Sequence, residues 1–408
     1  MSFHDSSLIS SCNASVTASN FTCHNFFVTF YDVNNNEYIN DTGNYTEEYQ
    51  PFALPLWRHV LWTMLFSIMV VSASVGNFIV IWIVIVNKRM RSVTNYLLVN
   101  LSLADAMIST LNVTFNFTYM LNLNWPFGDF YCKFNQFISV VSISASVFTL
   151  VAISVDRYMA IVNPLRPRIG KRATFGIIAA IWASGCVIGI PNFLFFTTDF
   201  NIMNDGSIRQ VCFSEWPDGI TTRSGIEYIY NVMFMMITYF IPIISMTYTY
   251  SRIGIELWGS KSIGESIQRQ VDNVKSKRRV VKMMIVIVVI FGVCWLPFHV
   301  YFIITSNYPE VTKYPPIQEI YLAIYWLAMS NSMINPIILY WMNLKFRRGF
   351  KQFLRCCCAL ANKDSQGHGL FELQQLDRSL HSHSPTQKNG TSTVSVSIQS
   401  DYNNNITE

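Results

Sequence analysis

Charged residues are scarce in this sequence: 13 % of its 408 residues are Asp, Glu, Lys or Arg, whereas 51 % are hydrophobic. Soluble domains carry about 25 % charged residues, so the composition argues against an ordinary water-soluble protein. The length would suit roughly two or three soluble domains, but the long apolar runs indicate a single bundle in lipid.

Basic residues are missing from the N-terminal segment, which has no Lys or Arg before Arg58. Residues 1–30 also lack an apolar core, so the segment does not have the pattern of a signal peptide. We expect the first membrane span to act as its own insertion signal.

Apolar runs long enough to cross a bilayer, which takes about 20 residues, recur along the chain. The seven predicted spans are residues 59–86, 96–121, 134–161, 174–195, 228–250, 280–305 and 317–342. The predicted fold class is therefore an all-α membrane protein, a seven-transmembrane helix bundle with a short amphipathic cytoplasmic helix after the seventh span.

Lys and Arg are concentrated in alternate connections: those after the first, third and fifth spans, and the segment after the seventh. Basic connections face the cytoplasm. We therefore expect a multi-pass plasma-membrane protein with its N-terminus outside the cell and its C-terminus inside.

Four domains follow from this topology: a glycosylated extracellular N-terminus (1–57), the bundle (58–343), a membrane-surface helix (344–358) and a disordered cytoplasmic tail (359–408). The expected glycosylation acceptors, each in an Asn-x-Ser/Thr pattern, are Asn13, Asn20, Asn40 and Asn44.

Cysteines fall on both sides of the predicted membrane. Cys132 and Cys212 are extracellular, where thiols can oxidise, and Cys12 and Cys23 could pair with each other. Three cytoplasmic cysteines follow an amphipathic stretch, and they are either palmitoylation sites or inert thiols. These three are Cys356, Cys357 and Cys358.

Asp105 is the only acid deep in a predicted span, and ionisable groups in lipid are costly enough to suggest a function. Asn77, Asn331, Ser332 and Asn335 lie at compatible depths. These residues either surround a sodium ion or a water cluster, or they hold helices together by hydrogen bonds. No other cofactor is expected.

Two further polar features lie in the outer half of the bundle. Asn112 and Asn116, four residues apart, share one helix face, and they either bond neighbouring helices or face a ligand cavity. His299 follows Pro297 and has Trp295 close by, which favours an aromatic pocket over core packing.

Prolines remove a backbone hydrogen bond and kink helices, and four of them mark expected hinges: Pro191, Pro242, Pro297 and Pro336.

In its short motifs, the chain resembles the rhodopsin-like G-protein-coupled receptors over about residues 58–355. The motifs are Asp156-Arg157-Tyr158, Gly76-Asn77, Leu101-Ser102-Leu103-Ala104-Asp105, Cys132, Trp182, Pro242, Cys294-Trp295-Leu296-Pro297 and Asn335-Pro336. The resemblance implies that Asp156 holds Arg157 at rest and that Arg157 faces a G protein once the sixth helix swings out. On the basis of this resemblance, we also predict a disulfide bond between Cys132 and Cys212.

The sixth helix departs from many members of that family, which place an acid at its inner end to hold the same arginine. Here the region reads Lys275-Ser276-Lys277-Arg278-Arg279. We therefore expect the resting state to depend on Asp156 alone.

The ligand class follows from a second departure. Amine receptors carry an Asp eighteen residues before the arginine of the triplet, and here that position is Ser139. The stretches "NFTYML", "YCKFNQF", "SEWPDG" and "YLAIYWLAMSNSMINPII" resemble tachykinin (neurokinin) receptors, including the invertebrate tachykinin-related and natalisin receptors. The implied ligand is a short amidated neuropeptide with an aromatic residue near its C-terminus; the alternative is another neuropeptide class.

The same resemblance supplies the candidate site residues and partners. The implied ligand-binding residues are Asn112, Asn116, Gln136, Asn192, Asn231, His299, Phe302 and Tyr321. The implied coupling and activation residues are Asp156, Arg157, Tyr158, Tyr250, Trp295, Asn335 and Pro336. The implied partners are a heterotrimeric G protein acting on phospholipase C and calcium, arrestin and receptor kinases at the tail, and the lipid membrane, but no nucleic acid.

Three positions depart from the expected pattern. Tachykinin receptors often have Asn where Gln136 stands and His where Asn231 stands. The tyrosine that usually follows Asn-Pro-x-x is Leu339, with Tyr340 one place late. One residue is about 100° of helix rotation, so Tyr340 points elsewhere unless the helix is locally rewound.

Other classes of membrane protein fit less well. A transporter would usually show two matching halves with interrupted helices, and no such repeat is present. An opsin needs a Lys in the seventh span, and residues 317–342 contain none. An enzyme would need a metal-spaced His/Cys cluster, a phosphate-binding Gly loop or a Ser-His-Asp set, and none is found.

Overall fold

A computed structural model of the chain describes residues 55–167, 169–202, 208–220, 224–259, 268–308, 310–311 and 316–356. The chain divides into two compact units, Met1–Phe353 and Leu354–Glu408. Several predicted features lie outside the described residues: the four glycosylation acceptors, Cys12, Cys23, Cys357, Cys358 and the tail.

Seven helices in the described part are long and apolar enough to cross a membrane, which confirms the predicted bundle. They are α1 (Leu56–Val86), α2 (Val93–Asn122), α3 (Gly128–Ile161), α4 (Lys171–Phe195), α5 (Gly225–Trp258), α6 (Gln268–Asn307) and α7 (Ile317–Met342). A 3₁₀ turn, Lys88–Met90, connects α1 to α2. Most helices begin about one turn before the predicted apolar run.

Serine caps explain two of these earlier starts. The Ser224 hydroxyl accepts a hydrogen bond from the backbone N–H of Glu227 at 2.9 Å, the pattern of a Ser-x-x-Glu capping sequence. Ser92 likewise accepts from the backbone N–H of Asn95, at 3.4 Å. Capping satisfies N–H groups that have no partner within the helix, so each helix extends into the polar interface.

Two helices contain π-helical segments that the sequence analysis did not predict, Ile108–Val113 in α2 and Met236–Phe240 in α5. In α2, the Thr110 hydroxyl donates to the carbonyl of Ala106 at 2.7 Å, so a side chain competes for a backbone acceptor. In α5, the wider turn directly precedes the region of Pro242, which cannot donate a backbone hydrogen bond.

Small residues let the helices approach closely at two points. A Cβ added to Gly76 would lie 2.8 Å from Pro336 Cγ, so only glycine fits between α1 and α7 there. A Cβ on Gly185 would lie 3.2 Å from the carbonyl oxygen of Val141, which brings α4 against α3.

The outer connection between α4 and α5 is a β-hairpin, which the prediction of an all-α fold did not include. Strand β1 (Phe196–Ile202) pairs antiparallel with β2 (Ile208–Trp216), and the short β3 (Gly219–Ile220) pairs with β2. Cys212 on β2 forms a disulfide bond with Cys132 on α3, with their Cα atoms 5.8 Å apart. This confirms the predicted bond.

Trp125 supports the base of this hairpin, and the sequence analysis overlooked it. Its side chain is 0 % exposed, and its indole N–H donates to the carbonyl of Gly128 at 3.0 Å. Its backbone N–H donates to the carbonyl of Gln210 at 2.8 Å. The disulfide and Trp125 therefore fix the hairpin to the outer ends of α2 and α3.

The helix after α7 is also confirmed, as α8 over residues 344–356. Phe346 is 0 % exposed, whereas Leu344 is 44 % exposed. The ring of Phe353 lies edge-on to Trp82 at 5.1 Å, and a Cβ on Gly349 would lie 2.7 Å from Ile83. One face of α8 is therefore packed against α1.

We predict that Cys132→Ser and Cys212→Ser each lower surface expression and the melting temperature of the detergent-solubilised protein, because losing a native disulfide typically costs about 2–5 kcal/mol. The double variant should be no worse than either single variant, since both remove the same bond. Cys186→Ser removes a free cysteine of α4 and serves as the control. Normal melting of both single variants would contradict the prediction.

Candidate ligand cavity and activation sites

An outer cavity of about 110 Å³ lies between α3, α4, α5, α6 and the hairpin. Five of the eight predicted ligand-binding residues line it: Gln136, Asn192, Asn231, His299 and Phe302. Amide and aromatic side chains therefore converge here from four different helices.

His299 lies on the inner wall of this cavity among aromatic rings. Its ring centroid is 5.0 Å from that of Tyr239 and 6.1 Å from that of Trp295. The side chain is only 7 % exposed. This placement matches the aromatic pocket that the sequence favoured over plain core packing.

Asn192 joins α4 to α5 at the cavity wall. Its amide donates to the Tyr230 hydroxyl at 2.8 Å, and that hydroxyl donates to the carbonyl of Ile188 at 2.9 Å. Tyr230 was not predicted, because nothing in its sequence context separates it from the many other aromatic residues of α5.

Asn112, Asn116 and Tyr321 do not line the cavity. Asn112 donates to the side-chain oxygen of Asn135 at 3.1 Å, and Asn135 donates to Asn116 at 2.6 Å. Tyr325 closes the ring: it accepts from Asn116 at 3.4 Å and donates to Asn112 at 3.1 Å.

This polar ring realises one of the two alternatives for the asparagine pair, because it bonds α2, α3 and α7 to one another. Tyr321 packs beside the ring with its centroid 6.0 Å from that of Tyr325. Asn135 and Tyr325 were missed. An Asn inside the third predicted span, directly before Gln136, was the available signal.

Asp105 is the centre of a second polar cluster and is 1 % exposed. Its carboxylate accepts from Ser146 at 3.1 Å, from Ser332 at 3.2 Å and from Asn335 at 2.7 Å. Asn77 donates to the backbone carbonyl of Ser332 at 2.9 Å. These direct bonds link α1, α2, α3 and α7, as the helix-bonding alternative requires.

The cluster also has the donor chemistry of a sodium site, since a carboxylate, hydroxyls and amide oxygens suit a hard cation. Within the described residues, the buried side-chain oxygens of Asn77 and Asn331 have no hydrogen-bond partner. Both sequence-based alternatives for this cluster therefore remain chemically consistent with it.

At the inner end of α3, Asp156 holds Arg157. The Asp156 carboxylate accepts from the Arg157 guanidinium at 2.7 Å and from the Thr94 hydroxyl of α2, also at 2.7 Å. These three residues line an inner cavity of about 470 Å³, together with residues of α6 that include Lys277. Thr94 was not predicted.

Arg278 makes a contact between α5 and α6 that the sequence did not suggest. Its guanidinium donates two hydrogen bonds to the backbone carbonyl of Leu257, at 2.7 and 3.1 Å, and lies 5.6 Å from the ring centre of Trp258. The carbonyls at a helix C-terminus carry partial negative charge. Besides Asp156, a basic residue of α6 thus restrains this end.

Leu339 and Tyr340 have the orientations expected of an unmodified helix. Leu339 is 1 % exposed in the core, whereas Tyr340 faces α8, its ring 5.6 Å from that of Phe350. Because α7 is continuous from Ile317 to Met342, the helix is not rewound to bring Tyr340 inward.

Comparison with known proteins gives a family match over residues 76–339, to the 7 transmembrane receptor (rhodopsin family). The Drosophila melanogaster tachykinin-like peptides receptor 99D is 60 % identical over 317 residues, which cover 78 % of this chain and 60 % of that receptor. Tachykinin-like peptides receptor 86C of the same fly is 48 % identical over 309 residues, covering 76 % and 61 %.

A mammalian tachykinin-family relative is also similar to this chain, at a lower identity. The Homo sapiens substance-P receptor is 41 % identical over 322 residues, which cover 79 % of this chain and 77 % of that receptor. This chain matches only about three fifths of the length of the two fly receptors. The family match nevertheless covers more than half of the chain, and members of this family are receptors rather than enzymes. The chain therefore belongs to the rhodopsin family of seven-transmembrane receptors, and within it the chain is similar to receptors for tachykinin-like peptides.

Proposed function

We propose that this chain is a plasma-membrane receptor for a short amidated tachykinin-like neuropeptide. The observation that carries the proposal is the outer cavity, where the side-chain amides of Gln136, Asn192 and Asn231 lie beside His299 and Phe302. Amide side chains both donate and accept hydrogen bonds, which suits a C-terminal amide. The aromatic residues suit an aromatic ligand side chain.

The size of the cavity limits what enters it. A volume of about 110 Å³ admits one end of a peptide rather than all of it. The remainder would lie over the hairpin, which the disulfide bond holds beside the cavity.

The inner cavity is the proposed docking site for a heterotrimeric G protein that acts on phospholipase C and calcium. Arg157, its partner Asp156 and the basic residue Lys277 of α6 line it. Outward movement of α6 would break the Arg278 contact with Leu257 and expose Arg157 to the G protein.

The remaining topology is proposed on charge and sequence pattern. The N-terminus (1–57) would be extracellular and glycosylated at Asn13, Asn20, Asn40 and Asn44. The tail (359–408) would be cytoplasmic and would bind arrestin and receptor kinases. Cys356 is exposed on α8, which supports palmitoylation of Cys356, Cys357 and Cys358.

A second candidate ligand is another class of neuropeptide. Gln136 and Asn231, the two positions that differ from the common tachykinin-receptor pattern, both line the cavity. Calcium recordings from cells expressing the receptor, with amidated tachykinin-like peptides and unrelated amidated peptides, decide between the two. A response only to unrelated peptides would exclude the first proposal.

We expect His299→Ala to lower peptide potency by about tenfold or more while surface expression stays normal, because a buried hydrogen bond is worth on the order of 1–3 kcal/mol. Asn112→Ala should instead lower expression and melting temperature, since it leaves partners in the polar ring unsatisfied. Dose–response curves at matched surface expression distinguish the two effects. Unchanged potency with His299→Ala would remove it from the binding site.

Arg157→Ala should retain peptide binding and lose calcium signalling, because Arg157 lies at the inner cavity, far along α3 from the ligand. Radioligand binding and calcium release, measured on the same cells, check this. Lys171→Ala removes a basic residue that is exposed at the start of α4 and does not line the inner cavity, so it serves as the control and should keep both binding and signalling. Parallel loss of binding and signalling would indicate misfolding.

Leu339→Tyr should raise peptide-independent signalling, because an inward hydroxyl can bond Tyr250 in the active state, a contact worth about 0.5–1.5 kcal/mol. Tyr340→Phe should change little, since phenylalanine keeps the ring packing on Phe350. Basal inositol phosphate at matched expression is the measurement. A silent Leu339→Tyr with an impaired Tyr340→Phe would assign the activating role to Tyr340.

A further inference from the structure

Glu227 is the only carboxylate among the described residues that line the outer cavity, and no Lys or Arg lines it. One carboxylate oxygen accepts from the Ser214 hydroxyl at 3.1 Å. The other is buried and has no hydrogen-bond partner among the described residues. A buried carboxylate without a full set of partners is costly, so this oxygen is poised to accept a hydrogen bond from outside the described chain.

A second unsatisfied group lines the same cavity. The indole N–H of Trp216 is buried and also has no partner in the described part of the chain. The cavity therefore presents one free acceptor and one free donor. A ligand that satisfies both must offer a hydrogen-bond donor and a carbonyl-type acceptor.

A nearby acid, Asp218, is already satisfied. The Ser224 hydroxyl donates to one carboxylate oxygen, and the backbone N–H of Ile226 donates to the other at 3.0 Å. These two bonds, that of Ser224 foremost, hold the pKa of the Asp218 carboxyl below its usual range. Asp218 therefore adds negative charge near the cavity without competing for the ligand's donor.

Aromatic rings complete the environment of Glu227. Trp216 and Tyr230 pack with ring centroids 5.4 Å apart, and both line the cavity. A guanidinium group can stack on such rings and donate several hydrogen bonds in one plane, whereas an ammonium group is more strongly hydrated.

We propose that Glu227 is a specificity-determining residue that binds a guanidinium group of the peptide, with Trp216 binding a carbonyl of the same ligand. This inference rests on the proposed peptide-receptor function and names the ligand chemistry that this cavity selects. The backbone N–H of Glu227 also donates to the Ser224 hydroxyl in the N-terminal cap of α5. A Glu227→Gln variant retains this backbone hydrogen bond.

The test uses the full-length receptor and matched amidated tachykinin-like peptides, each made with arginine or with citrulline at one position. Citrulline keeps the shape of arginine and removes its charge. On the unmodified receptor, one arginine position should be preferred by about tenfold or more, the effect of a hydrogen bond to a charged group. Glu227→Gln should abolish that preference.

Glu215→Gln is the matched control, because Glu215 is exposed on β2 next to Trp216 and does not line the cavity. It should leave the arginine preference intact, which separates a specific contact from general attraction of cations. Trp216→Phe keeps an aromatic ring at this position and removes the indole N–H, so it should weaken arginine and citrulline peptides equally.

Failure of this inference is distinct from failure of the proposed function. If no tachykinin-like peptide releases calcium from the unmodified receptor, the proposed function fails. If peptides act but citrulline equals arginine at every position, or the preference survives Glu227→Gln, Glu227 does not bind a guanidinium. The citrulline comparison on the unmodified receptor needs no variant, so a poorly expressed Glu227→Gln cannot obscure the result.

Discussion

The surrounding lipid offers no hydrogen bonds, so a polar group inside this bundle is costly unless it finds a partner within the protein. Asp105 satisfies this constraint through bonds from Ser146, Ser332 and Asn335. The ring around Asn112, Asn116 and Asn135 does the same nearer the outside. Because each cluster takes residues from different helices, satisfying the polar groups also fixes how α2, α3 and α7 are placed.

Buried polar atoms without a hydrogen-bond partner indicate where a binding partner could act, because leaving them unpaired is costly. In the outer cavity, Glu227 and Trp216 each keep a buried polar atom without a partner among the described residues. At the inner cavity, one guanidinium nitrogen of Arg157 donates a hydrogen bond to Asp156, while its buried Nε has no partner in the described part of the chain. Within the residues that the structure describes, unsatisfied polar atoms thus occur at both proposed binding surfaces, as they do at Asn77 and Asn331 beside Asp105. At the two surfaces, a ligand or a G protein would supply the missing hydrogen bonds.

Helix α6 connects these two surfaces. Its outer half carries His299 on the outer cavity, and its inner half carries Arg278 on the carbonyl of Leu257. Pro297, where the sequence predicts a hinge, lies inside the helix between them. A ligand that moves the aromatic group around Trp295 would therefore act on the outer half of this helix. At the other end, Arg278 adds two hydrogen bonds and a ring contact to the core packing of Val281 and Met284.

The sequence by itself determined the seven spans, their order, the disulfide partners and the family, since these depend on long apolar runs and on short motifs. Tertiary structure decided which polar residues meet. The period of α2 gave Asn112 and Asn116 a common face, but only the tertiary structure brings that face against Asn135 and Tyr325 in a polar ring rather than against the cavity. Glu227 reads in sequence as an ordinary helix-capping acid, and only the packing of β2 and α4 against α5 leaves its carboxylate inside a cavity. Hydrogen bonds between distant helices depend on angles and distances that no local pattern encodes, so the sequence could identify the polar residues but could not assign their partners.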